Sequence, residues 1–230
     1  MHSHFIRNSL RALRDFFSFN DPDRFLRDVR GVIHVGANTG SEREHYHRRN
    51  LDVVWIEPIP SVYNTLVSNL RPFPRQKALL GLITDCDGKS YTFNVSSNAA
   101  VSSSIFKLSD HKVLWPEVHY VESIPMESKT LPTILQDNNI DIRHYDALVL
   151  DTQGSELLVL KGAQNILSQF QYIKTEAADF ESYQGCCKAD ELGSFLATMG
   201  FEEVRRTLFH THKGSRNYYD LVYRRKDVNP

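Results

Sequence analysis

The residues with the clearest chemical potential lie in the stretch "VIHVGANTG" and in two acids further along the chain. Gly36 allows a sharp turn and the close approach of a ligand, and Gly40 is placed to open a helix whose N-terminal N–H groups attract an anion. Ala37 and Asn38 lie between them, and His34 stands where turns of this kind usually carry an acid. Glu57, followed by Pro58, ends the next apolar run, where a carboxylate can accept both hydroxyls of an adenosine ribose. A dinucleotide site wants G-x-G-x-x-G so that a diphosphate can lie on bare backbone, but Asn38 occupies the middle glycine position. No lysine follows as in a phosphate-binding loop. The pattern therefore points to an adenosine ligand without a diphosphate, such as S-adenosylmethionine.

Further acids close later apolar runs. Asp151 follows "ALVL" and precedes Gln153 and Gly154, beside the expected position of a transferable methyl group. Glu176 ends "YIKTE", and Asp85 follows "LIT", where an adenine ring would be flanked. Methyl transfer to a hydroxyl needs alignment above all, and a base within hydrogen-bond reach adds roughly 10²–10⁴-fold. Asp151 is the candidate base, with Glu176, His111 and His119 in reserve; each histidine also reads as a surface residue. His34 reads either as a hydrogen-bonding partner of the loop or cofactor, or as a packed core histidine.

These residues need strands to carry them and helices to support them. "GVIHV" (31–35), "DVVWIE" (52–57), "KALLGLIT" (77–84), "ALVLD" (147–151) and "QYIKTEA" (171–177) read as buried strands, because they lack the polar alternation of a half-exposed one. Between them lie amphipathic segments: "TGSEREHYHRRN", "PSVYNTLVSNL" with Ser61 as its cap, a helix from Thr130, and "SELLVLKGAQNILSQ". A helix over 188–199 ends at Gly200, and "FEEVRRT" and "NYYDLVYRR" close the chain as a strand pair. "DCDGKSYTFNV" reads as a turn with a strand returning to Val95. The expected fold is an α/β Rossmann-like sandwich: a mostly parallel seven-stranded sheet with an antiparallel terminal strand at its edge, and helices on both faces. Residues 96–129 show no clear periodicity and read as a lid or acceptor-binding segment, with Ser102 to Ser104 and Trp115 as contacts.

Composition excludes several classes. The 230 residues suit one domain, and 27 basic against 28 acidic side chains give a formal net charge of -1, which does not favour a nucleic-acid partner. Cys86, Cys186 and Cys187 have no metal-ligand spacing and form no disulfide framework, as suits a reducing, cytoplasmic setting. No apolar run approaches the ~20 residues of a membrane span. "HFIRNSLRALRDFF" is basic and amphipathic; it reads as a helix packed on the domain, within an N-terminal lead-in over 1–28, with a transit peptide or membrane-surface helix as the alternative.

The segments "VIHVGANTG", "VVWIEPIPSVYNTLVSNL", "DCDGKSYTF", "SSNAAVSSS" and "LVLDTQGSELLVLKGAQNIL" together resemble the FkbM family of S-adenosylmethionine-dependent methyltransferases. The resemblance covers about residues 31–177. It implies the class I methyltransferase sandwich and O-methylation of a small hydroxylated acceptor such as a sugar, glycan or polyketide-like metabolite. In the family's lysine-x-aspartate-x-glutamate-glycine run, Asp151, Gly154 and the following Glu156 match, whereas Val149 replaces the lysine and Gln153 the glutamate. His34 likewise replaces the commoner aspartate. Val149 and Gln153 leave open a methyltransferase fold that binds without turnover. A nicotinamide-dependent oxidoreductase shares the first turn and the ribose acid, but Asn38 and the terminal strand pair speak against it.

Overall fold

The computed structural model describes residues 22–212 and 215–226. The amphipathic N-terminal segment therefore lies outside the described residues; the end of the lead-in is described and forms a short 3-10 turn at Arg24–Arg27.

The apolar runs form the middle of a seven-stranded sheet. Strands β1 (Gly31–Val35), β2 (Asp52–Glu57) and β3 (Gln76–Leu80) lie on one side of its centre. Strands β7 (Ala147–Leu150), β8 (Tyr172–Ala178), β9 (Phe201–His212) and β10 (Arg216–Arg225) lie on the other. The order is β3-β2-β1-β7-β8-β10-β9. Pairing is parallel from β3 through β8, and β10 runs antiparallel to both β8 and β9. The antiparallel strand is therefore not at the edge as expected. The chain lays β9 down first, one strand-width out, and β10 folds back into the gap.

Alternation along the strands feeds two cores. Ile33, Val35, Val54, Ile56, Leu148 and Leu150 face helices α4 (Leu131–Asp137), α5 (Glu156–Gly162) and α6 (Ala189–Thr198). Val32, Val53, Trp55, Ala147 and Val149 face α1 (Arg43–Arg48) and α2 (Pro60–Leu70) on the opposite side. Continuous burial of β1 and β7 explains why these strands lack polar alternation. The Thr130 hydroxyl accepts from the Thr133 N–H and so starts α4, and Gly200, at φ 84°, closes α6. α2 begins at Pro60 rather than behind Ser61, proline being suited to a first helical position.

Two expectations fail in the middle of the chain. The run 77–84 is two strands, since Gly81 breaks it and Leu82–Ile83 forms β4 in a separate three-stranded sheet. β5 (Ser90–Ser96) does not return along that run but pairs antiparallel with β6 (Tyr120–Lys129), inside the segment read as aperiodic. β6 is ten residues long, yet only Ser128 in it is buried, and Ile124 and Met126, partly buried on the same face, are too few to mark a strand. Pairing with β5 and β4, not burial, defines it. The β5–β6 connection holds the one-turn helix α3 (His111–Leu114). Among the described residues no helix is long and apolar enough to cross a membrane.

Candidate active site

The ends of β1, β2 and β7 converge with β4 and the β5–β6 connection around a cleft of about 760 Å³. Its wall includes Gly36, Asn38, Glu57, Pro58, Asp151 and Gln153, six of the residues singled out from sequence. Gly36 (φ 86°) is obligatory, because a Cβ there would stand 1.8 Å from the Asp151 carbonyl oxygen. Its N–H and that of Ala37 both donate to the Ile56 carbonyl, which draws the loop onto β2.

Asn38, in the position of the missing glycine, adopts the same left-handed backbone, at φ 45°. Asparagine tolerates this region better than most side chains. Its Oδ1 accepts from the Thr39 N–H at 2.7 Å, and its own N–H donates to Glu57 Oε2 at 2.8 Å. Ile59 N–H donates to Glu57 Oε1 at 2.9 Å. Glu57 is thus buried but bonded at both oxygens, and burial pushes its pKa up to about 7 against the pull of the two N–H groups.

Beyond Asp151 the chain makes a second tight turn, with Gln153 at φ 53° and Gly154 at φ 102°. Glu156 pins this turn by accepting from the Thr152 and Gly154 N–H groups. Gln153 Nε2 donates to Asp151 Oδ1 at 2.6 Å, Tyr183 OH donates to Gln153 Oε1 at 2.7 Å, and Ser104 Oγ donates to the Gln153 carbonyl. Burial pushes Asp151 up to about 6, opposed by the Gln153 bond. Glu176 is raised well above the usual carboxylate range, first by burial and then by the Asp151 charge.

Asp151 and Gln153 also line a second cavity, of about 620 Å³, with Glu176, Asn98, Val101, Ser102, His111, Trp115, Phe209 and Tyr218. His111, read from sequence as a surface residue or a reserve base, is buried between the Trp115 and Tyr183 rings, at centroid distances of 4.7 and 5.3 Å. Burial lowers its pKa to about 4, so it is neutral at physiological pH. His119 is exposed.

Other sequence candidates fall elsewhere. Asp85 is exposed and away from the cleft, which at this strand end uses Gly81, Leu82 and Ile83; the chain turns into the second sheet before reaching it. Gly40 is not a helix start, since α1 begins at Arg43, and neither it nor Ala37 lines the cleft. His34 is buried, stacked on Trp55 at 4.8 Å and bonded through Nδ1 to Tyr46 OH at 3.2 Å. It faces a rear chamber shared with Asp151 and Glu176, not the main cleft. Sequence reasoning missed Tyr183, Lys174 and Asp220, of which the last two line this chamber.

The main cleft suits S-adenosylmethionine by its donor set. Glu57 offers a buried acceptor for a vicinal diol, and Ile59, Leu82, Ile83 and Phe93 offer apolar surface for a purine.

Comparison with known proteins identifies the family and the fold. A curated relative, the 2-O-methyltransferase NoeI of Sinorhizobium fredii (strain NBRC 101917 / NGR234), is 24% identical over 161 residues, covering 67% of this chain. The match spans 65% of that relative's length. Among solved structures, magnesium protoporphyrin IX methyltransferase from Synechocystis PCC 6803 with bound S-adenosylmethionine superposes with a TM-score of 0.50 at 10% identity. The superposition covers 98% of this chain and 86% of that one, and shows a shared fold. The Methyltransferase FkbM domain matches residues 34–218, and the chain belongs to this family of S-adenosylmethionine-dependent methyltransferases.

Proposed function

We propose that the protein is an O-methyltransferase that moves the methyl group of S-adenosylmethionine to a hydroxyl of a sugar or similarly hydroxylated small molecule. One observation carries this reading: Asp151 and Gln153 belong to the walls of both cavities, so a donor in one and an acceptor in the other meet at the Asp151 carboxylate. The acceptor cavity pairs an aromatic surface (Trp115, Phe209, Tyr218) with polar groups on Asn98, Ser102 and His111. Such a combination suits the apolar face and the hydroxyls of a sugar ring. The O-methylating relative supports transfer to oxygen.

When bound, the cofactor supplies a sulfonium-activated methyl group. The chain's task is to orient the hydroxyl and take its proton. Asp151, held by Gln153 and raised to about 6, is ionised in most molecules at neutral pH and is a stronger base than a solvated aspartate. Gly36, Asn38, Glu57 and Pro58 hold the adenosine side of the cofactor in this reading, and Glu176 borders the acceptor.

The test is a mass-spectrometric screen of mono- and oligosaccharides for gain of one methylene, with Asp151→Ala as control. Asp151→Ala is expected to lose roughly 10²-fold or more in turnover while binding S-adenosylhomocysteine within a few-fold of wild type. Retained turnover removes Asp151 from the reaction. Cofactor binding with no transfer to any acceptor favours a binding protein instead.

A further inference from the structure

Behind Asp151 and Glu176 lies the rear chamber, of about 410 Å³, whose lining includes five acids. Asp151 enters it from the end of β7 and Glu176 from β8. Asp220 comes from β10, Glu42 from the residue before α1, and Asp23 from the turn preceding β1. Lys174 is the one lysine or arginine among the described residues lining it. Its register explains the placement. Lys174 pairs with Val149 across β7 and β8, so the ammonium rises from one pleat below Asp151 and Glu176, which stand two residues further along each strand.

We propose that Lys174, tethered by Asp23, is a positioning residue for methyl transfer, the counter-charge that holds the Asp151–Glu176 carboxylate pair from behind. The proposal rests on the reading that Asp151 stands at the point of transfer. Two carboxylates on neighbouring strand ends repel, and without a nearby cation they share a proton over the neutral range. No other lining group supplies that charge. His34 is desolvated against Trp55, with its pKa lowered to about 4, and is neutral; Tyr46, the remaining titratable group, is likewise held neutral by burial.

Lys174 meets the requirement. Its Nζ lies 2.8 Å from Asp23 Oδ1, and Asp23 Oδ2 lies 3.3 Å from His45 Nε2. Burial opposes the ammonium, yet Asp23 and Asp220 outweigh it and keep the group charged. Its charge favours the ionised forms of Asp151 and Glu176, whereas Asp220 disfavours them. The bland alternative is a tether that only fastens the N-terminal turn to the sheet.

The experiment uses the full chain saturated with S-adenosylhomocysteine, with ¹³C-labelled carboxyl groups of Asp151 and Glu176 titrated by NMR. Lys174→Met is expected to raise the apparent pKa values of the pair, because it removes the one cation among the described residues lining their chamber. Lys174→Arg is expected to restore them. An unchanged titration in Lys174→Met, with lowered melting temperature alone, overturns the proposal in favour of the tether. If Lys174→Met does not fold, Asp220→Asn decides: a lowered titration supports the electrostatic coupling, and an unchanged or raised one overturns it. Turnover retained in Asp151→Ala sinks the underlying reading whatever the lysine variants do, while Asp151→Ala inactivity with an unmoved Lys174→Met titration sinks this inference alone.

Discussion

Glu57 is an acid whose surroundings pull it two ways. Its burial favours the neutral form and lifts the pKa to about 7, while the Asn38 and Ile59 N–H groups favour the anion. A ligand with a vicinal diol adds further donors to the same oxygens and tips the balance toward the anion. Glu57→Gln keeps one acceptor but turns an amide N–H₂ toward a backbone N–H donor. Hydrogen bonds to a charged group are worth about 1.5–3 kcal/mol, so S-adenosylhomocysteine affinity should fall roughly 10- to 100-fold. Wild-type affinity should also weaken as pH falls from about 8 to about 6, because the carboxyl must release its proton to accept both hydroxyls. Calorimetry on both proteins across this range checks the pair of outcomes; equal affinities leave Glu57 as a loop clamp only.

Between the two cavities runs the turn after β5, and its contacts tie it to both tight loops. Asn38 Nδ2 donates to the Ala99 carbonyl at 3.3 Å, and Ser104 holds the Gln153 carbonyl. Ser96 Oγ, Asn98 Oδ1 and Ser103 Oγ brace the turn from within, while Ala99 and Ala100 hold left-handed backbones at φ 55° and 64°. Such conformations cost non-glycine residues energy and persist where the surroundings enforce them. Val101, 55% exposed, lines both cavities. Elastase, which cuts after small apolar residues, should nick this turn in the free protein, more slowly with S-adenosylhomocysteine and faster in Asn38→Ala. Cleavage indifferent to both argues against a ligand-coupled lid. The strands that frame the cleft were legible as unbroken apolar runs, since burial on both faces leaves that pattern. β6 was not, because its side chains stay largely exposed, although its partner β5 was legible from the alternation of Tyr91, Phe93 and Val95. Gly36, Asn38, Glu57 and Asp151 were legible as strand-end residues, which the parallel topology gathers at one rim. Lys174, Asp23 and Asp220 were not, for the chamber joins residues from opposite ends of the chain and no local pattern marks such a meeting.

A sheet that gathers its acids at one rim carries a consequence for the stability of the whole molecule. Glu57 and Glu156 are both buried, and burial lifts each from 4.5 to about 7. A carboxyl raised in the folded state binds its proton more tightly there than in the unfolded chain. Its penalty on folding is therefore absent below the unfolded value, grows as pH rises from about 4.5, and is complete above about 7. His34 and His111, lowered from 6.5 to about 4, act oppositely: they remove stability as pH falls below about 6.5. Above that point the histidines return only the last part of their titration, and the carboxyls dominate the slope. Between pH 6.5 and 8 the ligand-free protein should lose on the order of 1 kcal/mol, the last part of the titration of two carboxyls outweighing what the two histidines return. Below about 6 the two trends oppose, so the optimum should lie on the acid side of neutrality. Urea denaturation at fixed ionic strength measures this directly, and stability that rises from pH 6.5 to 8 contradicts it. Saturating S-adenosylhomocysteine should flatten the slope, because a Glu57 held ionised by a diol no longer takes up the proton.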